Sequence, residues 1–419
     1  HDKVKKQINY KKAWLKVYDF PVAYFPKFFH PDPTVKRQSG LLRPELGSSN
    51  ILGSSIYIPY FLAISDDKDL TIKPKLFDDG KFFLQNEYRQ KTHNSITMID
   101  FSFVNGHDSS SQDKGGTRSH LFTNTLVDLS LDNFNKSMLK ITYQKTSNDN
   151  YLKLFDLQSP LLPEDNSVLE SKIEFDLAHE NYDLTTSFEM YETLNGSNSD
   201  RYQYVLPVYN FSKNFNLEML SGSFNLNSYG DNTLNDTNVH TSSVSNDLKY
   251  SSLDKFFDNG IRTNFEVSLK NINTIGTNNP SYKNSPQSEL MSGYIYNASL
   301  PLIKENSKTI NTLEPKLSLR FNPHDMKNNS NETRRIDNSN VFASNRLSLV
   351  DSIETGESIT LGLNFKKKKV NITNEISKIE EYIDVKLASV FRLSDEETIP
   401  INSTLNKKNS NIFGQFNFK

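Results

Sequence analysis

The sequence predicts an all-β chain built on a large antiparallel sheet, and three observations predict it. Hydrophobic residues recur with period two in segment after segment. Clusters of Asn, Ser, Asp and Gly separate those segments. Helical periodicity is scarce along the 419 residues. Successive strand side chains point to opposite faces, so each alternating run carries one oily and one polar face. Two architectures share this pattern. A β-sandwich or β-solenoid turns the oily face to a dry core, whereas a membrane barrel turns it to lipid and keeps a polar lumen. Periodicity alone does not separate them. Three further features point to the barrel: strands long for a sandwich, only 35% hydrophobic residues, and aromatic residues at strand ends (Phe101/Phe103, Tyr202/Tyr204, Tyr294/Tyr296), where interfacial girdles fall.

In chain order, Phe20–Gly40 (FPVAYFPKFFHPDPTVKRQSG) comes first, with prolines at 21, 26, 31, 33, 44 and 59 across it and its continuation. Proline lacks the N–H that a ladder needs, so a strand here is poorly bonded. Composition also fits a proline-rich linker between two domains. Ile56–Ile64 (IYIPYFLAI), the longest apolar run, is about half of what a spanning helix needs. Asp78-Asp79-Gly80 between Leu76 and Phe82 is a hairpin signal. Alternation then marks Leu126–Leu131, Leu139–Tyr143, Lys172–Leu177, Phe265–Leu269, Tyr294–Leu300, Lys316–Phe321, Ile359–Phe365 and Val385–Leu387. Asn227–Asn246, Asn273–Gln287 and Asn322–Asn340 read as long loops, and roughly 18–20 strands are expected in all. Leu317, Leu319, Phe321, Leu361, Leu363 and Phe365 should face outward; Lys316, Ser318 and Arg320 should face inward.

Charge and composition narrow the function. Balanced charge (net −2) lacks the footprint of a general nucleic-acid binder, so no nucleic-acid partner is expected. Without cysteine there is no disulfide, zinc ribbon or thiolate nucleophile. Neither a Gly-x-Ser-x-Gly elbow nor a His-Glu-x-x-His helix is present. His93, His107, His120 and His179 are expected in loops or at strand ends without fixed partners. No catalytic residue, metal site or cofactor is therefore expected. Lys366–Lys369 (KKKK) is expected to follow a strand, as a solvated turn or a contact to lipid headgroups. Asn-x-Ser sequons such as those at Asn195, Asn210 and Asn297 arise by composition and would matter only in a eukaryotic secreted protein. The opening, HDKVKKQINY, lacks a methionine, and we expect a fragment of a longer protein.

Several stretches together resemble one family. They are Tyr24–Pro26, His30–Gly40 (HPDPTVKRQSG), Pro59-Tyr60, Asp69–Pro74 (DLTIKP), Glu87-Tyr88-Arg89, Phe155–Glu170 (FDLQSPLLPEDNSVLE), Leu313–Phe321 (LEPKLSLRF) and Val341–Leu363 (VFASNRLSLVDSIETGESITLGL). In this order, across about 340 residues, they resemble the LptD family of outer-membrane lipopolysaccharide-assembly proteins. The resemblance implies a periplasmic β-jellyroll, whose end would be residues 1–35, followed by a transmembrane barrel over 36–419, incomplete here. It implies lipopolysaccharide as cargo, a plug lipoprotein (LptE-like), a periplasmic bridge protein (LptA-like) and outer-membrane lipids as partners. It implies a seam between first and last strands loosened by prolines, here Pro31, Pro33 and Pro44, flanking the basic pair Lys36-Arg37 that would meet lipid phosphates. A missing donor lowers the cost of parting two strands by roughly 0.5–1.5 kcal/mol per hydrogen bond. Well-known members tie jellyroll to barrel by disulfides, which a cysteine-free chain does not form. A general porin or transporter barrel and a soluble all-β adhesin are the alternatives to the family reading.

Overall fold

A computed structural model describes residues 2, 7–17, 20–32, 35, 37–49, 52–78, 80–107, 116–163, 165, 167–195, 201–235, 238–306, 308–373 and 376–418. The chain forms two compact units: residues 1–132, 136–175 and 188–204, and residues 133–135, 176–187 and 205–419. Both are all-β and antiparallel, the class that the alternation predicts.

In the first unit, β1 (Gln7–Val17) and β2 (Phe20–Pro31) form a two-stranded sheet in the register Gln7↔Pro31. A second sheet follows, from β3 (Gly40–Leu41), β4 (Glu45–Ser49), β5 (Gly53–Tyr57), β6 (Tyr60–Ser65), β7 (Lys68–Phe77), β8 (Phe82–Lys91), β9 (Ser95–His107), β10 (Gly116–Asp128) and β11 (Phe134–Thr146). From β6 to β11 each strand pairs with the next, as an antiparallel meander does. The β7–β8 turn falls on the predicted hairpin, and Gly80 takes φ +81°, a left-handed value that a side chain would strain. Phe101, Phe103 and Leu121 lie on the exposed face, while Asp100, Ser102, Val104, His120 and Phe122 alternate with them on the buried one. The four-residue helix α1 (Tyr151–Leu154) and the chain after it cover that buried face. Tyr151, Leu152, Phe155 and Leu157 pack there against Phe83, Val104 and Phe122.

Three strands follow, β12 (Val168–His179), β13 (Tyr182–Thr193) and β14 (Tyr202–Phe215). The second unit then runs through β15 (Gly222–Asn235), β16 (His240–Ser252), β17 (Lys255–Phe256), β18 (Arg262–Thr277), β19 (Gln287–Ser299), β20 (Leu302–Glu305), β21 (Thr309–Asn322), β22 (Gly356–Thr373), β23 (Ile376–Arg392) and β24 (Phe413–Phe418). The described residues thus hold 24 strands, more than expected, because several are only two to six residues long.

Two loop expectations need correction. Asn227–Asn246 is almost wholly strand, with Ser228 opposite Asn246 and Asn246 opposite Asn271 in register. The turn-forming residues there bond across strands instead. Ser228 Oγ donates to Asn246 Oδ1 at 2.7 Å, and Asn246 Nδ2 donates to Asn271 Oδ1 at 3.4 Å. A polar sheet face accepts Asn and Ser because neighbouring strands satisfy their amides and hydroxyls. Likewise Lys366–Lys369 lies inside β22, opposite Asp384, Ile383, Glu381 and Glu380 in turn. Lys366 sits 3.9 Å from Asp384, and Lys367 lies 5.9 Å from the centre of the Tyr382 ring. The Asp384 carboxylate and the Tyr382 ring on the neighbouring strand help keep the run in the ladder.

The facing expectation agrees with the coordinates. Leu319, Phe321, Leu361 and Leu363 are 40–48% exposed, whereas Ser318 and Arg320 between them are 3% and 7% exposed. Leu317 and Phe365 are half-buried. The long connections 323–355 and 393–412 leave the same end of the sheet, since β21 and β23 both pair antiparallel with β22. Both fold back to build a small core: Met326, Ile336, Val341, Leu347 and Leu349 pack with Ile399 and Leu405, against Ala388, Val390 and Phe413. Gly362 on β22 makes room for this covering segment. A Cβ there would lie 2.5 Å from Phe342 Cζ. Gly362→Ala is therefore expected to destabilise the docked segment by about 1–3 kcal/mol. Adding Phe342→Leu should recover most of the loss in urea unfolding of the detergent-solubilised protein.

Candidate functional site

The polar sheet faces and the segments lying on them carry the chemistry. In the first unit, Gln85 Nε2 donates to both Asp100 oxygens, at 3.0 and 2.8 Å. His120 Nε2 lies 3.4 Å from Asp100 Oδ1, and its Nδ1 shares a short hydrogen bond with Ser102 Oγ. Ser102 Oγ in turn lies 2.6 Å from the Tyr151 hydroxyl. Burial, the largest influence, pushes that hydroxyl up to about 12, against the lowering by Ser102, so it stays neutral. The expectation that His120 lacks fixed partners is thus corrected: it sits inside β10 with Asp100 and Ser102. The trio has the residue types of a nucleophilic triad, but Ser102 is 2% exposed and closed off by Tyr151. A nucleophile must reach its substrate, so this network serves to fasten α1 to the sheet.

In the second unit the segment 323–355 is held by buried charge. Arg346, 2% exposed, forks onto Glu354, Nε to Oε2 at 2.8 Å and Nη2 to Oε1 at 2.6 Å. It also donates to Thr360 Oγ1 and Ser358 Oγ on β22, both at 3.0 Å. Arg392 at the end of β23 donates to Glu354 Oε1 at 2.7 Å and to the Thr355 carbonyl. Arg320 of β21 donates to the Ala343 carbonyl at 2.7 Å and to the Ser344 carbonyl, and its Nε lies 3.9 Å from Glu354 Oε2. Lys249 and Lys270 reach Ser344 Oγ and the Val350 carbonyl from the sheet, at 2.9 and 2.8 Å. Bidentate geometry and side-chain hydrogen bonds offset the desolvation of these charges.

Burial pushes the Glu354 carboxyl up, but Arg346 and Arg320 outweigh it and hold the group well below the usual carboxylate range. A depressed folded-state pKa gives stability that is fully present above the unfolded value of about 4.3 and is lost as pH falls toward the folded one. Hydrogen exchange of residues 343–355 should therefore stay protected from neutral pH down to about 5 and open only in stronger acid.

Of the sequence-predicted gate residues, Pro31, Arg37 and Pro44 lie in the first unit. Pro31 ends β2, and Pro44 is exposed and immediately precedes β4. Pro33 and Lys36 lie outside the described residues. Arg37 donates to the carbonyls of Ser65 and Asp66, at 3.1 and 2.8 Å, and pairs with Asp69. Asp69 also receives Arg89 Nε at 2.9 Å. Among the described residues no group of three or more His, Asp or Glu is placed to hold a metal ion.

The family model described as "LptD: LPS transport system D" matches residues 117–419. The chain belongs to the LptD family. Three curated relatives, each called LPS-assembly protein LptD, illustrate the likeness. That of Pseudomonas aeruginosa (strain UCBPP-PA14) is 32% identical over 96 residues, 23% of this chain and 10% of the relative. That of Pseudoalteromonas translucida is 34% identical over 97 residues, 23% and 13%. That of Idiomarina loihiensis is 24% identical over 189 residues, 44% and 24%. The matched stretches thus span a quarter or less of these relatives. A solved bacterial polysaccharide outer membrane secretin aligns over 87% of this chain with 8% identity and a TM-score of 0.16, too slight a likeness to bear on the fold. Within the LptD-matched range, Val341–Leu363, one carrier of the resemblance, holds Phe342, Arg346, Glu354, Ser358, Thr360 and Gly362. The sequence reading missed the ionic cluster. Its signal was there, an arginine set in the otherwise apolar and small run VFASNRLSLV, but its partners Glu354, Ser358 and Thr360 stand 8 to 14 positions away.

Proposed function

We propose that the chain is part of an outer-membrane β-barrel that delivers lipopolysaccharide to the outer leaflet and catalyses no reaction. Membership of the LptD family over residues 117–419 carries this reading. The sorting of Leu319, Phe321, Leu361 and Leu363 away from Ser318 and Arg320 supports it, because lipid takes the first set and a wet lumen the second. In this reading residues 1–35 end a periplasmic jellyroll that docks an LptA-like bridge protein. An LptE-like lipoprotein plugs the lumen. Pro31, Pro33 and Pro44 weaken the seam between first and last strands, and Lys36 and Arg37 meet lipid phosphates there.

Depleting the full-length protein in its host should lower surface lipopolysaccharide while other outer-membrane proteins still assemble. Unchanged surface lipopolysaccharide would sink the proposal. Pro44→Ala restores a donor at the edge of β4 and should slow delivery by no more than about tenfold, the reach of one net hydrogen bond. Delivery at the unsubstituted rate in both Pro44→Ala and Pro33→Ala would remove the gate assignment and leave the rest. The segments folded onto the polar face are also a porin trait. Ion conductance of the reconstituted protein is therefore measured alongside, and steady conductance without lipopolysaccharide transfer would favour a porin.

A further inference from the structure

Three guanidiniums converge on one carboxylate beneath the segment 323–355. The nearby ammonium groups have their own partners, Lys249 with Glu266 and Lys270 with Asp247, both at 2.7 Å. Arg320, Arg346 and Arg392 are left to share Glu354, with Glu396 near the outer edge of Arg392: a Cβ on Gly356 would lie within 3.0 Å of both. Cations therefore exceed anions in a place where unbalanced charge is expensive. Hydrogen bonding is also incomplete. Nε of Arg320 and Nε of Arg392 are buried, and neither makes a hydrogen bond. Buried donors left idle call for an occupant or a role. Beside the cluster is a cavity of about 270 Å³, lined by Lys249, Lys270, Ser344, Ser352 and Glu354 among others. Glu354 is the cluster member that faces it.

We infer that Arg320 and Arg392, which stand on β21 and β23 on either side of Ser358, form a latent anion site, filled in this structure by the Glu354 carboxylate, which takes phosphate groups of an anionic saccharide when residues 343–355, Arg346 among them, lift from the sheet. Forked guanidiniums fit phosphate as well as carboxylate, and a phosphate carries more charge to share between two of them. Lifting the segment removes Glu354, with its partner Arg346, and the carbonyls of Ala343 and Ser344 together, so Arg320 and Arg392 lose acceptors at once. An arriving phosphate replaces those acceptors and favours the lifted state by its differential affinity. The inference rests on the transport reading for the passage of such a saccharide, but its test needs only the isolated protein.

These 419 residues hold no cysteine, so, with any cysteine elsewhere in the full-length protein replaced by serine, Leu347→Cys reports docking: Leu347 is 1% exposed, and its thiol should react slowly with maleimide while the segment is down. The full-length protein in detergent is titrated with inorganic phosphate, with sodium chloride at matched ionic strength, and with an acyl-free phosphorylated glucosamine disaccharide beside its dephosphorylated form. Phosphate should raise the labelling rate about tenfold and saturably, while chloride at equal ionic strength should not. The phosphorylated disaccharide acting at lower concentration than inorganic phosphate identifies the saccharide as the source. Equal action of the two identifies phosphate alone. Arg392→Gln should abolish the response. Should that variant fail to fold, Arg320→Lys, which keeps the charge but not the fork, should move the response to higher phosphate. Equal effects of chloride and phosphate, or a response unchanged in both variants, would overturn the inference. Surface lipopolysaccharide in the same variants reads the transport proposal separately.

Discussion

Replacing Glu354 by alanine is expected to release residues 323–355 from the sheet. The substitution leaves Arg346, Arg392 and Arg320 buried without the carboxylate that two of them bond and the third faces at 3.9 Å. Removing one partner of a buried, hydrogen-bonded charge pair costs about 3–5 kcal/mol, because the remaining charge stays desolvated. The segment's apolar contacts, Met326, Ile336, Val341, Leu347 and Leu349 with Ile399, Leu405, Ala388 and Val390, satisfy none of the stranded guanidiniums, so this loss offsets much of its docking. The strands themselves keep their ladders. Limited proteolysis should therefore cut within 323–355 while the sheet signature in circular dichroism persists. Protection equal to that of the unsubstituted protein would mean that the small apolar core, not the ion cluster, holds the segment. Glu354→Gln should fall between the two, since the amide still accepts hydrogen bonds but brings no charge.

Leu361→Arg is the second large effect, and it separates membrane from water on one residue. Leu361 is 48% exposed in the middle of β22, flanked on the same face by Ile359 and Leu363. If that face meets hydrocarbon, an arginine near the mid-plane costs about 2–4 kcal/mol. If it meets water, a half-exposed leucine on a strand surface is replaced at little cost. Refolding into lipid vesicles, with urea titration, reads the difference. Leu393→Arg serves as the control, because Leu393 is more exposed still, at 67%, but stands in the connection after β23. Equal tolerance of both substitutions would show that the apolar face of β22 is not turned toward a bilayer.

Much of the sheet was legible because period-two alternation is local. K-L-S-L-R-F announces a strand and its two faces without reference to any other segment, and Ser318 and Arg320 are found opposite Leu319 and Phe321 as expected. The Asn-rich stretch Asn227–Asn246 misled for a related reason. Asn and Ser favour turns when alone, but a polar face lets them pair across strands, and pairing is a property of neighbours. The Lys366–Lys369 run was misplaced in the same way, since Asp384 and Tyr382 lie on the adjoining strand. His120 gave no local sign of its role, and the arginine within VFASNRLSLV marked a place without naming a partner. Each acquires its partners only when distant strands and connections meet, Ser102 and Tyr151 for the one, Glu354, Ser358 and Thr360 for the other.

By itself, then, the sequence determined the all-β class, the strand faces and the family resemblance, because backbone geometry turns residue order directly into sidedness. Only the tertiary structure decided which connections fold back onto the polar face and which buried charges meet there. Those outcomes depend on desolvation and Coulomb attraction between groups far apart in the chain, and no local period encodes such energies.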